Sequence, residues 1–176
     1  MLKRAAHRPA HLLLDNQHYF ITGAFHNRRR LLDAELKGVL TDLLNTIFSK
    51  AGWRLEHWVF LDNHYHLIAK SGDGSALPGL IRDLHSKSGL AIRERSHCAL
   101  PVWYNYWDYC LRDERDYCRH LNYLLWNPVK HGYVRDLNDW PFSSFHGLMA
   151  AEGREYLVRQ FKAYPDFRTL DLDDDY

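Results

Sequence analysis

The chain has 176 residues, 46% hydrophobic and 26% charged, a balance that sustains one buried core and excludes an intrinsically disordered chain. No run of about 18 uninterrupted apolar residues occurs, so no membrane span is expected. The apolar stretch Leu12 to Leu14 is far shorter than a signal-peptide core of about 7 to 15 residues, which sets the expectation of a cytoplasmic protein. The formal net charge of +1 conceals two unlike parts: residues 166–176 hold five aspartates against Arg168 alone, a net of −4, so the rest of the chain carries +5. Basic residues gather at Lys3, Arg4 and Arg8, in the run Arg28, Arg29, Arg30, and again at Arg82, Lys87, Arg93 and Arg95. That distribution suits a phosphate-contacting surface and equally a solvated face. The acidic end lacks apolar periodicity, giving an expected domain over 1–165 and a disordered tail over 166–176. Cys98, Cys110 and Cys118 lack CxxC spacing and are expected to be reduced thiols.

In chain order, residues 18–26 (HYFITGAFH) are aromatic and β-branched, predicting a strand with Gly23 as the candidate bulge. Apolar residues recurring at three and four from Leu31 to Ala51 predict an amphipathic helix ending at Gly52. WRLEHWVFL and HYHLIAK, separated by Asp62-Asn63, predict a hairpin whose turn residues tolerate positive φ. A second helix is expected over 76–96, interrupted or weakened near Gly89, followed by the aromatic strand VWYNYWDYCLR. Asp113 is a plausible N-cap for a third helix, with Asp116 in its first turn and Lys130 and His131 in its last. The order β-α-β-β-α-β plus one helix predicts an α+β fold of the ferredoxin-like, split βαβ kind. Its antiparallel sheet is covered by helices on one face, with an extra C-terminal helix.

Two features concentrate chemistry among the 12 histidines and 11 tyrosines. Side chains alternate along a strand, so His64 and His66 leave the same face, near enough to share a metal ion; two ordinary sheet histidines fit the pattern as well. Tyr123 and Asn127 lie one helical turn apart, so a phenol and an amide oxygen can converge. A packing tyrosine and a helix irregularity before Pro128 account for that pair equally. No glycine-rich phosphate loop accompanies them.

Together, DNHYHLIAK and VWYNYWDYCLRDERDYCRHLNYLLWNPVKHGYV resemble the single-tyrosine HUH transposases, and specifically the REP-associated tyrosine transposase branch, over roughly residues 18 to 147. Tyr65 stands where an aliphatic residue is usual, and Asp62 where proline is common. The resemblance implies that His64, His66 and Asn127 bind a divalent cation, Mg²⁺ or Mn²⁺, and that Tyr123 attacks a phosphodiester of single-stranded hairpin DNA to give a 5′-phosphotyrosine. A free tyrosine, with a pKa near about 10, holds little phenolate at neutral pH, so attack requires proton removal or a polarised phosphate. Arg28, Arg29, Arg30, Arg82, Lys87 and Lys130 are the candidate DNA contacts, and monomer and homodimer are both open. His120, three residues before Tyr123, is a candidate proton-transfer group. His57, Asp62 or His120 are candidates to complete a zinc set. Two other readings remain at this point: a domesticated hairpin-binding module without cleavage, and a metal-dependent phosphodiesterase that uses water.

Overall fold

Alternation along the first strand sends Tyr19, Ile21 and Phe25 to one side and Phe20 and Thr22 to the other, so two layers form on a single sheet. The computed structural model describes residues 12–170 and 172; Lys3, Arg4 and Arg8 lie outside them. The strands are β1 (His18–Phe25), β2 (Arg54–Phe60), β3 (His64–Lys70) and β4 (Trp103–Cys110), in the spatial order β2-β3-β1-β4, with every neighbouring pair antiparallel. Helix α1 (Ala34–Lys50) joins β1 to β2 and α2 (Leu77–Ser96) joins β3 to β4, which is the ferredoxin-like arrangement. Helix α3 (Glu114–Lys130) and α4 (Phe145–Ala163) follow.

Leu36, Leu40, Leu44, Ile47 and Phe48 of α1, with Leu77, Leu80, Ile81, Leu84 and Ile92 of α2, bury against Tyr19, Ile21, Tyr65 and Leu67. Each such burial contributes about 1.5–3 kcal/mol. A helical glycine costs about 1 kcal/mol, so α1 tolerates Gly38 and α2 runs unbroken through Gly89, where the helix is weakened by its glycine and not interrupted. Helix α3 packs on the opposite face, where Leu121, Leu124 and Leu125 meet Phe20, Val59 and Ile68. The extra helix therefore makes the sheet covered on both faces.

Asp62 and Asn63 form the expected two-residue turn, with Leu61 N–H donating to His64 O at 2.9 Å. Neither residue has positive φ. Instead the Asp62 carbonyl accepts from Leu31 and Leu32, and the Asn63 carbonyl from Phe25, so neighbouring loops hold the turn. Lys37 of α1, buried between the Trp140 and Phe142 rings, donates to Asp62 Oδ1 at 2.6 Å. The expected tail boundary at 166 falls too early. Pro165–Thr169 form a 3₁₀ helix in which Phe167 is buried, while Asp166 meets Arg115 and Arg119, each at 2.9 Å.

The bulge expected near Gly23 is a register shift between Gly23 and Phe25 whose additional residue belongs to β4, where Trp103 and Tyr106 pair with Phe25 and Gly23. Gly23 itself is required on steric grounds, since a Cβ there would lie 2.4 Å from Tyr65 Cζ. The vacated space admits the unusual aromatic between the two histidines. The Tyr65 hydroxyl reaches His85 Nε2 at 2.8 Å, the His85 ring stacks on Trp103, and Trp103 Nε1 donates to Ser88 Oγ at 2.9 Å. Gly23→Ala is therefore expected to cost about 1–3 kcal/mol in urea unfolding. In a Tyr65→Leu background the same change is expected to cost less, and an equal cost in both backgrounds would show that the tyrosine ring is not the obstacle.

Candidate functional site

His64 and His66 project from β3 toward α3, buried, with ring centroids 5.0 Å apart. Each ring is anchored through Nδ1: Thr22 Oγ1 lies 2.8 Å from His66 Nδ1, and Asn63 Oδ1 lies 2.7 Å from His64 Nδ1. The far nitrogen of His64, Nε2, is 3.1 Å from Asn127 Oδ1. Phe20 stacks on His66 at 5.1 Å, and the His131 ring lies 5.1 Å from His64. Tyr123, also buried, sets its ring edge to His66 at 5.7 Å, and its oxygen accepts from Lys130 Nζ at 2.6 Å. Tyr123, Asn127 and Lys130 are spaced four and three apart, so one stripe of α3 carries all three.

Burial, reinforced by His66 and His131, holds the His64 pKa well below the ordinary imidazole range despite the Asn127 hydrogen bond, so the ring is neutral near pH 7. A neutral imidazole has one N–H, yet His64 faces amide oxygens at both nitrogens. With either tautomer one nitrogen lone pair meets an oxygen acceptor, a contact that a cation between them relieves. Two donors about 2.1 Å from one ion at right angles are separated by about 3.0 Å, near the His64–Asn127 separation of 3.1 Å. The donor set thus fits a divalent cation. Among the described residues no three His, Cys, Asp or Glu side chains are arranged to hold one metal ion, and the polar group set beside the pair is the Asn127 amide.

The other candidates lie elsewhere. The His120 ring is separated from His66 by Phe20, stacks on Tyr109, and places Nδ1 2.7 Å from the Asp116 carbonyl. His57, pushed down to about 4 by burial, faces Tyr117, and Asp62 is held by Lys37. Tyr117 donates to Glu56 Oε2 at 2.9 Å, away from Asn127. Its pKa is raised, chiefly by burial and then by the Glu56 charge.

The basic residues divide. Arg29 spans the loop before β4, donating to the carbonyls of His26, Ala99, Pro101 and Val102. Arg28 is exposed, and Arg30 lies over the Tyr133 ring at 5.5 Å. Arg82 and Lys87 are exposed on α2, so the sheet stands between them and the histidine pair; Lys87 meets Asp83 at 2.6 Å. Lys130 reaches the tyrosine oxygen. Sequence reasoning missed Thr22, Asn63, Phe20 and His131. Asn63 was visible as the residue before His64 but read as a turn former, whereas the Thr22–His66 pairing is a register that only the folded sheet displays.

Residues 14–108 match the family profile described as IS200-like transposase. The chain is 30% identical over 131 residues to the REP-associated tyrosine transposase of Escherichia coli (strain K12), covering 73% of this chain and 76% of that protein. It is likewise 30% identical over 155 residues to a Haemophilus influenzae protein provisionally given the same name, covering 76% and 86%. A solved REP-associated tyrosine transposase bound to a REP hairpin superposes with a TM-score of 0.67 at 27% identity, covering 78% of this chain and 81% of that one. The chain belongs to the IS200-like transposases and, within them, to the REP-associated tyrosine transposases.

Proposed function

We propose that this transposase cleaves and rejoins single-stranded DNA beside a hairpin, with Tyr123 as nucleophile. The observation that carries the reading is the convergence of Tyr123 and Asn127 of α3 on the histidine pair of β3. The hairpin ligand follows from the solved relative, which is bound to one. In the forward step a bond forms between the Tyr123 oxygen and the scissile phosphorus while the bond from phosphorus to the 3′ oxygen breaks. The phenolic proton departs, the leaving oxygen gains one, and the products are a 5′-phosphotyrosine and a 3′-hydroxyl. Attack by a DNA 3′-hydroxyl on the phosphotyrosine reverses the step, so the ester conserves the bond and no nucleoside triphosphate is consumed.

Lys130 sets an ammonium 2.6 Å from the attacking oxygen, where it favours negative charge on that atom. His64, His66 and Asn127 would hold the divalent ion, which supplies Lewis-acid polarisation of the scissile phosphate. The mixed nitrogen and oxygen donors suit Mn²⁺ chemically, and Mg²⁺ is the abundant candidate. Thr22 and Asn63 hold the two Nδ1 atoms, which would leave each Nε2 as the nitrogen to bind the ion.

Tyr123→Phe keeps the ring packing and removes the ester-forming oxygen. It is expected to bind a hairpin oligonucleotide within about twofold of wild type and to form no covalent adduct on a denaturing gel, whereas Tyr117→Phe still forms one. Cleavage without any adduct would instead support the water-using phosphodiesterase, and binding with no cleavage at all the non-cutting module.

His64→Ala and His66→Ala are expected to abolish cleavage and to weaken Mn²⁺ binding by more than about tenfold, read by electron paramagnetic resonance, with the circular dichroism spectrum unchanged. Undiminished Mn²⁺ affinity in both variants would remove the histidine pair from the metal site.

The arginine run is expected to act in two ways. Replacing Arg28 and Arg30 with alanine should flatten the slope of log affinity against log salt by about 0.7 per lost single-strand phosphate contact. Arg29→Ala should instead lower the urea midpoint, because four carbonyls lose their donor. An unchanged slope in the double variant would make these two side chains part of a solvated surface.

A further inference from the structure

Among the described residues, the helices roof only part of the histidine face of the sheet. Helix α3 packs against β2 and β3, while β4 lies beyond β1 at the edge of the sheet. The register shift in β4 has a consequence there. Trp103 pairs with Phe25, and Tyr106 with Gly23; both turn toward the α1–α2 layer. With one extra residue between those pairs, Tyr104 and Trp107 both turn to the histidine face, their rings 6.0 Å apart and tilted by 36°. Regular alternation would have put them on opposite faces.

Trp107 is paired directly with Thr22, the residue whose hydroxyl meets His66 Nδ1 at 2.8 Å. Two strand spacings separate Trp107 from His66, about 10 Å of backbone. Tyr104 is 57% exposed and lies 6.0 Å from His26, at the turn that carries the exposed Arg28. Flat aromatic faces, a nearby cation and an adjoining site for phosphodiester chemistry are the parts of a surface that holds unpaired bases.

We propose that Tyr104 and Trp107 form a stacking platform for the unpaired bases next to the scissile phosphate, so that base stacking on β4 positions the strand for Tyr123. This rests on the DNA-cleaving reading above and adds to it the place where the flanking nucleotides lie. Arg28 supplies the accompanying phosphate contact, and stacking confers little sequence preference because every base presents a π face.

The test uses the full chain and a hairpin oligonucleotide with single-stranded flanks, together with a set in which one flanking base at a time is replaced by an abasic residue. Binding is read by fluorescence anisotropy. Trp107→Leu and Tyr104→Leu are each expected to weaken binding to the intact oligonucleotide by about 5- to 150-fold, and Trp107→Phe to restore most of the affinity. On the oligonucleotide lacking the stacked base, wild type and variant are expected to bind alike. An equal loss on every abasic oligonucleotide, or no loss on the intact one, overturns the platform. Should Trp107→Leu lower the urea midpoint, the solvent-facing Tyr104→Leu decides the matter alone. A changed sedimenting mass with unchanged DNA affinity would make the patch a contact between copies and also overturn it. Failure of wild type to bind any of the oligonucleotides would overturn the DNA-cleaving reading and the platform together, whereas binding and adduct formation by both leucine variants at wild-type strength would sink the platform only.

Discussion

Pairing between β1 and β3 at the centre of the sheet is the constraint on which both faces depend. Thr22 opposite His66 and Gly23 opposite Tyr65 are successive rungs of one ladder. The first builds the polar floor of the site, and the second accommodates an aromatic side chain in the core behind it. Because side chains alternate with period two, a slip of one residue would present His64 and His66 to α1 and α2 and drive Tyr65 into the site. The bulk of Tyr65, which needs the missing Cβ of Gly23, makes that slip sterically costly. Core packing on one face thus enforces the geometry of chemistry on the other.

The site is buried to a degree that would be expensive without compensation. His64, His66 and Asn127 are each 2% exposed or less, and unsatisfied polar groups at such depth cost about 1–3 kcal/mol apiece. The contacts of His64 with Asn63 and of His66 with Thr22 reduce that cost, and the surrounding leucines of α3 with Val59 and Ile68 supply the apolar burial that holds the helix down. The dry setting also strengthens electrostatic contacts, including that between Lys130 and Tyr123. Helix α3 is therefore both a packing element and the carrier of three reactive or polar groups on one stripe.

Much of this architecture was legible in the residues. Period-two alternation marked the strands, three-and-four recurrence marked α1, and Asp113 marked the start of α3, where its carboxylate accepts from the Asp116 N–H. What escaped was set by tertiary burial. Gly89 looked like a break because local propensity says nothing of the core that surrounds it, and α4 was missed because a kink at Gly153 divides its pattern. Phe167 anchors the start of what composition marked as a tail. Charge alone could not sort the arginines, since Arg29 spends its donors on loop carbonyls while Arg82 faces away from the site. The histidine pair and the Tyr123–Asn127 spacing were readable; the orienting threonine was not, because its partner is 44 residues distant.

The segment after α3 runs alongside the outer edge of β2: Phe60 N–H donates to Phe142 O, Ser144 N–H donates to Trp58 O, and Val59 bridges to Ser143. This end of the strand is closed by the chain itself, and the other end begins with the exposed Arg54, which pairs with Glu56. Polymerisation of sheets through their edges requires two open sides on every molecule, one to accept and one to extend. With the Trp58–Phe60 end of β2 covered, little of that edge is left to extend a sheet, and pairing at β4 is disfavoured from propagating into a fibre.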